Sequence, residues 1–368
     1  MRTYSDLGYN LSMSETLNVV LTWPASAEKV RLYESYVSSK CRIVVPQGTE
    51  PDDLTEVARD ADVIVGGYVP AFMIAAAKNL RMVQVTHAGA IAGNPLEPDL
   101  DQAYLGFSLK MLQARGLLMG NIHGNSVLVA EQAVTFLLVL AKRMVQADRA
   151  LSDGKWYPST ESTRSVTIKG STVAIVGLGS IGQEVARRVR AFGASVTAIK
   201  RNPAPELVRE LGLDFLGGPE DLHRVLSEAD FVVLTTPLTH ETYKMIGEAE
   251  LRTMKKTAFL INVARGDLVQ EKAVFQALTG GGIAGFASDV WWFYDCRPFT
   301  EEFLTIGYFC PVPSRLGVHR LENVIATADR SCFTTTMEED YMKDALQNVD
   351  MLAAGKTPAN LVDFDEQY

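Results

Sequence analysis

The sequence predicts an α/β protein of two Rossmann-like domains, each built on a doubly wound parallel sheet. Three observations lead to this prediction. Short apolar runs alternate with helix-like segments along most of the chain. A glycine-rich loop directly follows one apolar run. The length of 368 residues is that of two domains.

The first alternating series lies in the N-terminal quarter of the chain. Strands are predicted at 17–21, 41–45, 63–65 and 82–85. Helices are predicted at 26–38, 51–60 and 72–78. Residues 91–112 have no clean period and contain two prolines, so a long loop or irregular insertion is expected there. The sequence does not indicate the role of this insertion.

A longer apolar pattern at helical spacing covers 127–144 and predicts a helix that links the two domains. The second series then predicts a sheet of about six strands. Its strands are expected at 172–176, 195–199, 231–234, 258–261, 285–287 and 324–327. We expect the last helix, 335–354, to return to the first domain. The predicted domains are therefore 1–124 with 333–368, and 125–332.

Composition and charge exclude several classes of protein. The chain is 47% hydrophobic and 21% charged, as in ordinary globular proteins. A net charge of -9 argues against nucleic acid or an anionic membrane as partner. The four cysteines have no C-x-x-C spacing, so no metal site is expected and reduced thiols in the cytoplasm fit best. The start of the sequence lacks a secretory apolar segment, and the longest apolar stretch, 133–141, is too short to span a bilayer.

The glycine-rich loop carries the strongest functional signal. It has the sequence Gly177-Leu178-Gly179-Ser180-Ile181-Gly182. Gly177 permits a tight turn, Gly179 lets the backbone approach a pyrophosphate, and Gly182 lets the next helix pack against the strand. Because the loop lies between a predicted strand and a predicted helix, it indicates a Rossmann-type dinucleotide site. The expected activity is hydride transfer with a nicotinamide cofactor.

The residues after the second strand of this unit indicate which nicotinamide cofactor is bound. An NAD site usually has an acidic residue about 20 positions after the loop, where it accepts the ribose hydroxyls. Lys200-Arg201-Asn202 stands there instead. Two cations favour a 2′-phosphate, so NADP(H) is the preferred prediction and NAD(H) stays open.

From residue 127 onward the sequence resembles the NAD(P)-dependent D-2-hydroxyacid dehydrogenases, which include phosphoglycerate, glyoxylate and formate dehydrogenases. The matching segments are Val129-Ala130-Glu131, the glycine loop, Thr236-Pro237-Leu238-Thr239-His240-Glu241-Thr242, Ile261-Asn262-Val263-Ala264-Arg265-Gly266, Ala287-Ser288-Asp289-Val290 and Asn323-Val324-Ile325-Ala326-Thr327. The resemblance implies a homodimer. It also implies a flavodoxin-like substrate domain made of both chain ends, with the substrate bound in a cleft between this domain and the dinucleotide domain.

The resemblance also implies roles for individual residues. Arg265 is expected to bind the substrate carboxylate and to polarise its carbonyl. Asp289 resembles the residue that bonds the nicotinamide amide, or else caps the next segment. The backbone of His87-Ala88-Gly89-Ala90 resembles the loop that holds the substrate's acidic group. The residues expected to bind the cofactor are Gly177, Gly179, Ser180, Ile181, Gly182, Lys200, Arg201, Asn202, Thr236, Pro237, Val263 and Asp289.

The sequence departs from the family at the acid/base pair. The usual histidine, in a Thr-Pro-His run, is replaced in Thr327-Ala328-Asp329, and Tyr294 occupies the place of the usual glutamate. Asp329 or Tyr294 is therefore expected to carry the proton, Asp329 with a pKa raised by burial. Two other readings stay open: a reaction without proton transfer, as in formate oxidation, or a loss of catalysis.

Two histidines and one aromatic run also bear on the site. His319 is interpreted as structural, and His123 as a turn residue near the hinge, although it could face the cleft. The aromatic run 291–294 is expected either to wall the substrate pocket or to pack between the domains.

The leading hypothesis is an NADPH-dependent reductase of a small 2-oxo acid or of a phosphonate or aldehyde analogue. The alternatives are a catalytically silent cofactor-binding regulator and an NAD-dependent dehydrogenase that works in the oxidative direction.

Overall fold

The computed structural model describes residues 16–89, 106–293 and 313–365, which divide into two compact units. The first unit comprises the described residues up to 125 together with 335–365. The second comprises 126–293 and 313–334. All strand pairs inside both sheets are parallel. The α/β fold class predicted from the alternating pattern is confirmed.

The first unit is built on a five-stranded sheet of order β2-β1-β3-β4-β5. Its strands are β1 (Leu17–Leu21), β2 (Cys41–Val44), β3 (Val63–Gly66), β4 (Met82–Val85) and β5 (Leu118–Gly120). Its helices are α1 (Ala27–Glu34), α2 (Pro51–Ala58), α3 (Ala71–Ala76), α4 (Leu109–Ala114) and, near the C-terminus, α12 (Met337–Ala353). Ser26 caps α1 by accepting a hydrogen bond from the Lys29 amide.

The two chain ends share one hydrophobic core in the first unit. Met342, Leu346 and Val349 of α12 are fully buried with the apolar side of β1 and β3. Beyond α12, the Val362 amide donates to the Met119 carbonyl at 2.9 Å. The strand β5 that receives this segment was not predicted, because three residues give too short a pattern.

The second unit is built on a seven-stranded sheet of order β12-β11-β10-β9-β6-β7-β8. Its strands are β6 (Thr172–Val176), β7 (Ser195–Ile199), β8 (Phe215–Gly217), β9 (Phe231–Leu234), β10 (Phe259–Asn262), β11 (Gly285–Ser288) and β12 (Val324–Ala326). The expectation of about six strands was short by one. The missed strand, β8, is a three-residue edge strand whose first two residues are only half-buried.

The helices of the second unit cover both faces of this sheet and enclose two hydrophobic cores. They are α5 (Ser126–Lys142), α6 (Met144–Ser152), α7 (Ser180–Ala191), α8 (Pro205–Leu211), α9 (Leu222–Glu228), α10 (Glu248–Thr253) and α11 (Glu271–Thr279). The single helix predicted over 127–144 ends at Lys142, because Arg143 adopts a left-handed conformation (φ 52°) and α6 starts anew.

The described ranges contain neither a membrane-spanning helix nor a cluster of metal ligands. No described helix is long and apolar enough to cross a bilayer. Among the same residues, no three His, Cys, Asp or Glu side chains are grouped so that they could hold a metal ion.

Candidate functional site

The carboxyl edge of the second sheet collects most of the predicted site residues. Because the strands are parallel, their carboxyl ends lie at one edge, where open α/β sheets bind ligands. The glycine loop follows β6 and Arg201 follows β7. Thr236 follows β9, Arg265 follows β10, Asp289 follows β11 and Asp329 follows β12.

The glycine loop has the geometry that a pyrophosphate needs. Gly177 has φ 104°, and a Cβ there would lie 2.7 Å from the Thr236 amide nitrogen. A Cβ at Gly182 would collide with the Gly177 carbonyl, so both positions require glycine. A Cβ at Gly179, by contrast, would meet nothing within 4 Å. The backbone at Gly179 is therefore bare and open to a ligand.

The helix α7 starts at this loop, and no side chain caps its first amides. Gly179 is its N-cap and offers no side chain to those amides, and the first turn holds no acidic residue. Ser180 is half-buried, and Ile181 packs against the core below. Unpaired amides and the helix dipole attract anions. The loop and helix thus fit the phosphates of a dinucleotide.

Two threonines after β9 fix the glycine loop from one side. The Thr236 hydroxyl donates to the Val176 carbonyl at 2.7 Å, and the Thr235 hydroxyl donates to the Gly177 carbonyl at 2.6 Å. Pro237 is exposed at the start of the following turn, and its carbonyl accepts a bond from the Thr242 hydroxyl. The loop is therefore held by side chains as well as by its own backbone.

The basic residues after β7 lie on the other side of the loop. The Lys200 amide donates to the Gly217 carbonyl, and its ammonium lies 3.4 Å from the Leu178 carbonyl oxygen. The Arg201 guanidinium pairs with the Glu241 carboxylate, with 2.7 Å between Nη2 and Oε2. Asn202 is exposed. Both cations are thus beside the loop that was predicted to bind the cofactor.

Arg265 is placed by a buried asparagine. Asn262 is 1% exposed, and its side chain accepts from the Ala264 amide and donates to the Arg265 carbonyl. Arg265 itself donates to the Ala264 carbonyl at 2.8 Å and keeps part of its surface exposed. Val263 is buried below it. The turn therefore presents a partly accessible guanidinium at the sheet edge. Burial raises the pKa of the nearby Asp267, and Lys244 opposes this effect.

Asp289 is buried and caps the segment that follows β12. Its carboxylate accepts from the Thr327 hydroxyl, the Arg330 amide, and both the amide and hydroxyl of Ser331. A carboxylate has about four acceptor positions, so these donors occupy it fully. The capping role was one of the two readings of Asp289, and the geometry favours it. The nicotinamide role stays a prediction.

Asp329 projects from the capped loop in a left-handed conformation, with φ 53°. Its amide donates to the Asp289 carbonyl at 2.8 Å, which fixes the loop around this residue. The side chain of Asp329 is exposed. The role of Asp329 as proton carrier stays a prediction. Tyr294, the other candidate acid, lies outside the described residues.

The substrate loop predicted in the first unit follows β4. His87 and Ala88 are half-buried, and Gly89 has φ 85°, a conformation that suits glycine. The Ile122 amide donates to the His87 carbonyl at 3.2 Å, which holds the start of the loop. Ala90 lies outside the described residues, as does most of the predicted insertion. Its described end contains α4.

His319 and His123 each make contacts inside their own unit. His319 stacks edge-on against Trp291, with 5.9 Å between ring centroids, and burial lowers its pKa. Trp291 in turn donates its indole N–H to the Thr327 carbonyl. The backbone amide of His123 donates to the carboxylate of Asp344 on α12. These contacts agree with the structural reading of both residues.

The sequence did not single out two residues of the site. Asn262 positions Arg265, and Glu241 pairs with Arg201. Both lie inside the family-like segments, so the motifs contain them. No spacing rule links Glu241 to Arg201, because the strands that bring them together are 32 residues apart or more.

A family profile described as the NAD binding domain of D-isomer specific 2-hydroxyacid dehydrogenases matches residues 134–328. Glyoxylate reductase of Korarchaeum cryptofilum is 33% identical over 262 residues, covering 70% of this chain and 73% of that protein. Glyoxylate reductase of Thermococcus kodakarensis is 37% identical over 238 residues, covering 63% of this chain and 65% of that protein.

The solved structures agree on the fold. The NAD-complexed D-isomer specific 2-hydroxyacid dehydrogenase of Lactobacillus delbrueckii ssp. bulgaricus matches with a TM-score of 0.70 and 23% identity. The match covers 94% of this chain and 99% of that one.

Proposed function

This chain belongs to the D-isomer specific 2-hydroxyacid dehydrogenase family of NAD(P)-dependent oxidoreductases, and we propose that it is an NADPH-dependent reductase of a small acidic carbonyl compound. The substrate class is a 2-oxo acid or a phosphonate or aldehyde analogue. The observation that supports this most is the position of Arg265 on the same sheet edge as the glycine loop. Relatives named glyoxylate reductases add to the support for an oxo-acid substrate.

Each part of the reaction has a candidate residue. NADPH, when bound, supplies the hydride. The loop from Gly177 to Gly182 and the amides of α7 bind its phosphates. Arg265 binds the substrate carboxylate in a two-pronged contact and stabilises the charge that develops on the carbonyl oxygen. Asp329 or Tyr294 then donates a proton to that oxygen.

The preference for NADPH rests on Lys200 and Arg201. Neither side chain can accept a hydrogen bond from a ribose hydroxyl, whereas both attract a 2′-phosphate. Arg201→Gln should therefore weaken NADPH binding by about tenfold or more and leave NADH binding almost unchanged. Equal affinity of the natural protein for NADH and NADPH would contradict the preference.

The reductase activity is tested with a panel of 2-oxo acids and aldehydes, followed by NADPH absorbance. At least one acidic carbonyl compound should be reduced. Arg265→Gln should then lower kcat/KM by about 10²–10³ with the cofactor affinity unchanged, because only substrate and transition state lose a charge partner. Arg252→Gln serves as a control, since this arginine forms an exposed ion pair with Glu248 on α10.

The second candidate function is a cofactor-binding regulator without turnover. The presence of Asp329 in place of the family histidine favours it, because the usual proton donor of the family is missing from this position. Tight NADPH binding without reduction of any compound in the panel would support this candidate and refute the reductase.

The assembly is proposed to be a homodimer formed through α6 and the residues that follow it. None of the nine residues of α6 is buried, and its Met144 and Leu151 are 56% and 64% exposed. Trp156 is 89% exposed close by in the sequence. Exposed apolar groups of this kind are typical of protein interfaces. Sedimentation should give twice the chain mass of 40.3 kDa, and Leu151→Glu should shift it toward the monomer.

We further propose a cytoplasmic location. Cys41 supports it, because this buried cysteine is a free thiol, as is usual in a reducing compartment. Fractionation of cells that express the chain would test this.

A further inference from the structure

The ion pair between Arg201 and Glu241 joins two segments that are distant in sequence. Arg201 Nη2 and Glu241 Oε2 are 2.7 Å apart. The arginine side chain is 28% exposed and the glutamate side chain 71% exposed. The protein thus shields most of the arginine side chain, while most of the glutamate side chain is exposed to solvent.

The ion pair lies near the glycine loop. In the sheet, β6 lies between β9 and β7. The Gly177 and Leu178 amides both donate to the Ile199 carbonyl, so the end of β7 lies directly beside the loop. Arg201 extends from this end, and Glu241 extends from the turn after β9 on the opposite flank. The ion pair therefore connects the two sides of the dinucleotide site.

The turn that carries Glu241 is well fixed. The Thr239 amide donates to the Thr242 hydroxyl at 2.8 Å, and that hydroxyl donates to the Pro237 carbonyl at 2.7 Å. The same segment begins at Thr236, which bonds the strand below the glycine loop. These bonds hold the backbone around Glu241, and its side chain extends from there to Arg201.

We propose that Glu241 is a cofactor-specificity residue: its carboxylate accepts the ribose hydroxyls of NADH and competes with the 2′-phosphate of NADPH for Arg201. The end of β7 lacks the acidic residue that serves the ribose in NAD sites. Glu241 brings a carboxylate to Arg201, beside the end of β7, from the turn after β9. This inference rests on the proposed nicotinamide-dependent function.

Charge explains the competition. A phosphate monoester carries nearly two negative charges at neutral pH, and its best partner is the fork of a guanidinium. With NADPH, Glu241 adds a third negative charge beside Arg201 and must release the guanidinium. With NADH, the pair stays intact and the carboxylate still has a free lone pair for a hydroxyl. The carboxylate therefore lowers the preference for NADPH that Lys200 and Arg201 create.

The test measures the dissociation constants of NADPH and NADH by calorimetry, which needs no turnover. Glu241→Gln keeps the size of the side chain and removes its charge. It should weaken NADH binding, strengthen NADPH binding and raise the NADPH-over-NADH preference by about tenfold. The control is Glu210→Gln, because Glu210 forms an exposed ion pair with Arg187 at 3.0 Å. That variant should leave the preference unchanged.

A double variant tests the mechanism. If Glu241 acts on NADPH through Arg201, the gain in NADPH affinity should disappear when Glu241→Gln is made in an Arg201→Gln background. A preference that changes less than threefold in Glu241→Gln would overturn the inference. A gain that persists without Arg201 would overturn it too. If the natural protein binds neither cofactor, the proposed function itself is refuted, which is a different result from binding with an unchanged preference.

Discussion

The carboxyl ends of β6 and β12 lie on the same edge of one sheet but are built by different means. After β6, the part of the glycine loop open to a ligand is backbone: positive φ at Gly177, open space at Gly179 and amides without a side-chain cap at the start of α7. After β12, the segment around Asp329 relies on one buried side chain, Asp289, which accepts from the residues that surround it.

This difference teaches which part of the site resists change. A phosphate cradle made of backbone needs glycine at fixed positions, and the chain keeps the family pattern there. An acid/base group is a single side chain on a loop, so one substitution replaces it without disturbing the fold. We therefore expect the cofactor end of the site to keep the family pattern and the proton-transfer end to depart from it.

The largest expected effect concerns the group that transfers the proton. Asp329→Asn and Tyr294→Phe each remove a proton carrier while nearly keeping its volume. The one that serves as the acid should lose about 10²–10⁴ in kcat, because a positioned acid contributes that much. Steady-state kinetics with the best substrate of the panel measures it. Asp60→Asn changes an exposed carboxylate of the first unit and serves as control. Unchanged rates in both variants would show that neither residue is the acid.

A smaller effect is expected at Asp289. Asp289→Asn replaces one accepting oxygen by an N–H donor, which then faces donors of the loop. Leaving such groups unpaired in a buried place should lower the free energy of unfolding by about 1–3 kcal/mol. Denaturant unfolding measures this through the midpoint. An unchanged midpoint would mean that the loop does not depend on this carboxylate.

The next effect is a loss of cofactor affinity without a loss of stability. Gly179 has φ -83° and free space around it, so Gly179→Ala should change the unfolding free energy by less than about 0.5 kcal/mol. It should weaken NADPH binding about tenfold, because the methyl group occupies the approach of the pyrophosphate. Gly182→Ala is the contrast, since its Cβ meets the Gly177 carbonyl and should destabilise the fold by about 1–3 kcal/mol. Full NADPH affinity in Gly179→Ala would contradict a backbone cradle.

The smallest effect is the pH dependence of the helix behind the glycine loop. A hydrogen bond from Arg188, with help from Arg187, holds the pKa of Glu184 below its usual value of 4.5. The resulting stability is present above pH 4.5 and is lost as the pH falls through the lowered value. The gain is less than about 1 kcal/mol. Glu184→Gln should therefore narrow the difference in unfolding free energy between pH 7 and pH 3, and an equal difference would contradict this.

The sequence predicted the long, strongly apolar elements well, because burial on both faces leaves a clear pattern in parallel strands. It missed β5 and β8, which have three residues each and no room for a period. It also extended the linking helix across Arg143, where no glycine or proline marks the left-handed break.

The site could be predicted only where its residues follow one another closely in the sequence. The glycine loop has fixed spacing and was recognised from it. The pairing of Arg201 with Glu241 depends on the order of strands in the sheet, which the local pattern does not contain. The burial of a single side chain such as Asp329 is likewise a tertiary property, which the local pattern does not contain.

The shared core of the first unit also bears on how the protein is made. On the ribosome, residues 126–334 emerge before α12, so the second unit has its whole sheet available while the first still lacks Met342 and Leu346. Until α12 emerges, the face of the first sheet that packs against it lacks this cover. An exposed apolar surface of this kind is one that chaperones protect. Truncation of the chain before α12 should therefore leave a folded second unit joined to an aggregation-prone first unit.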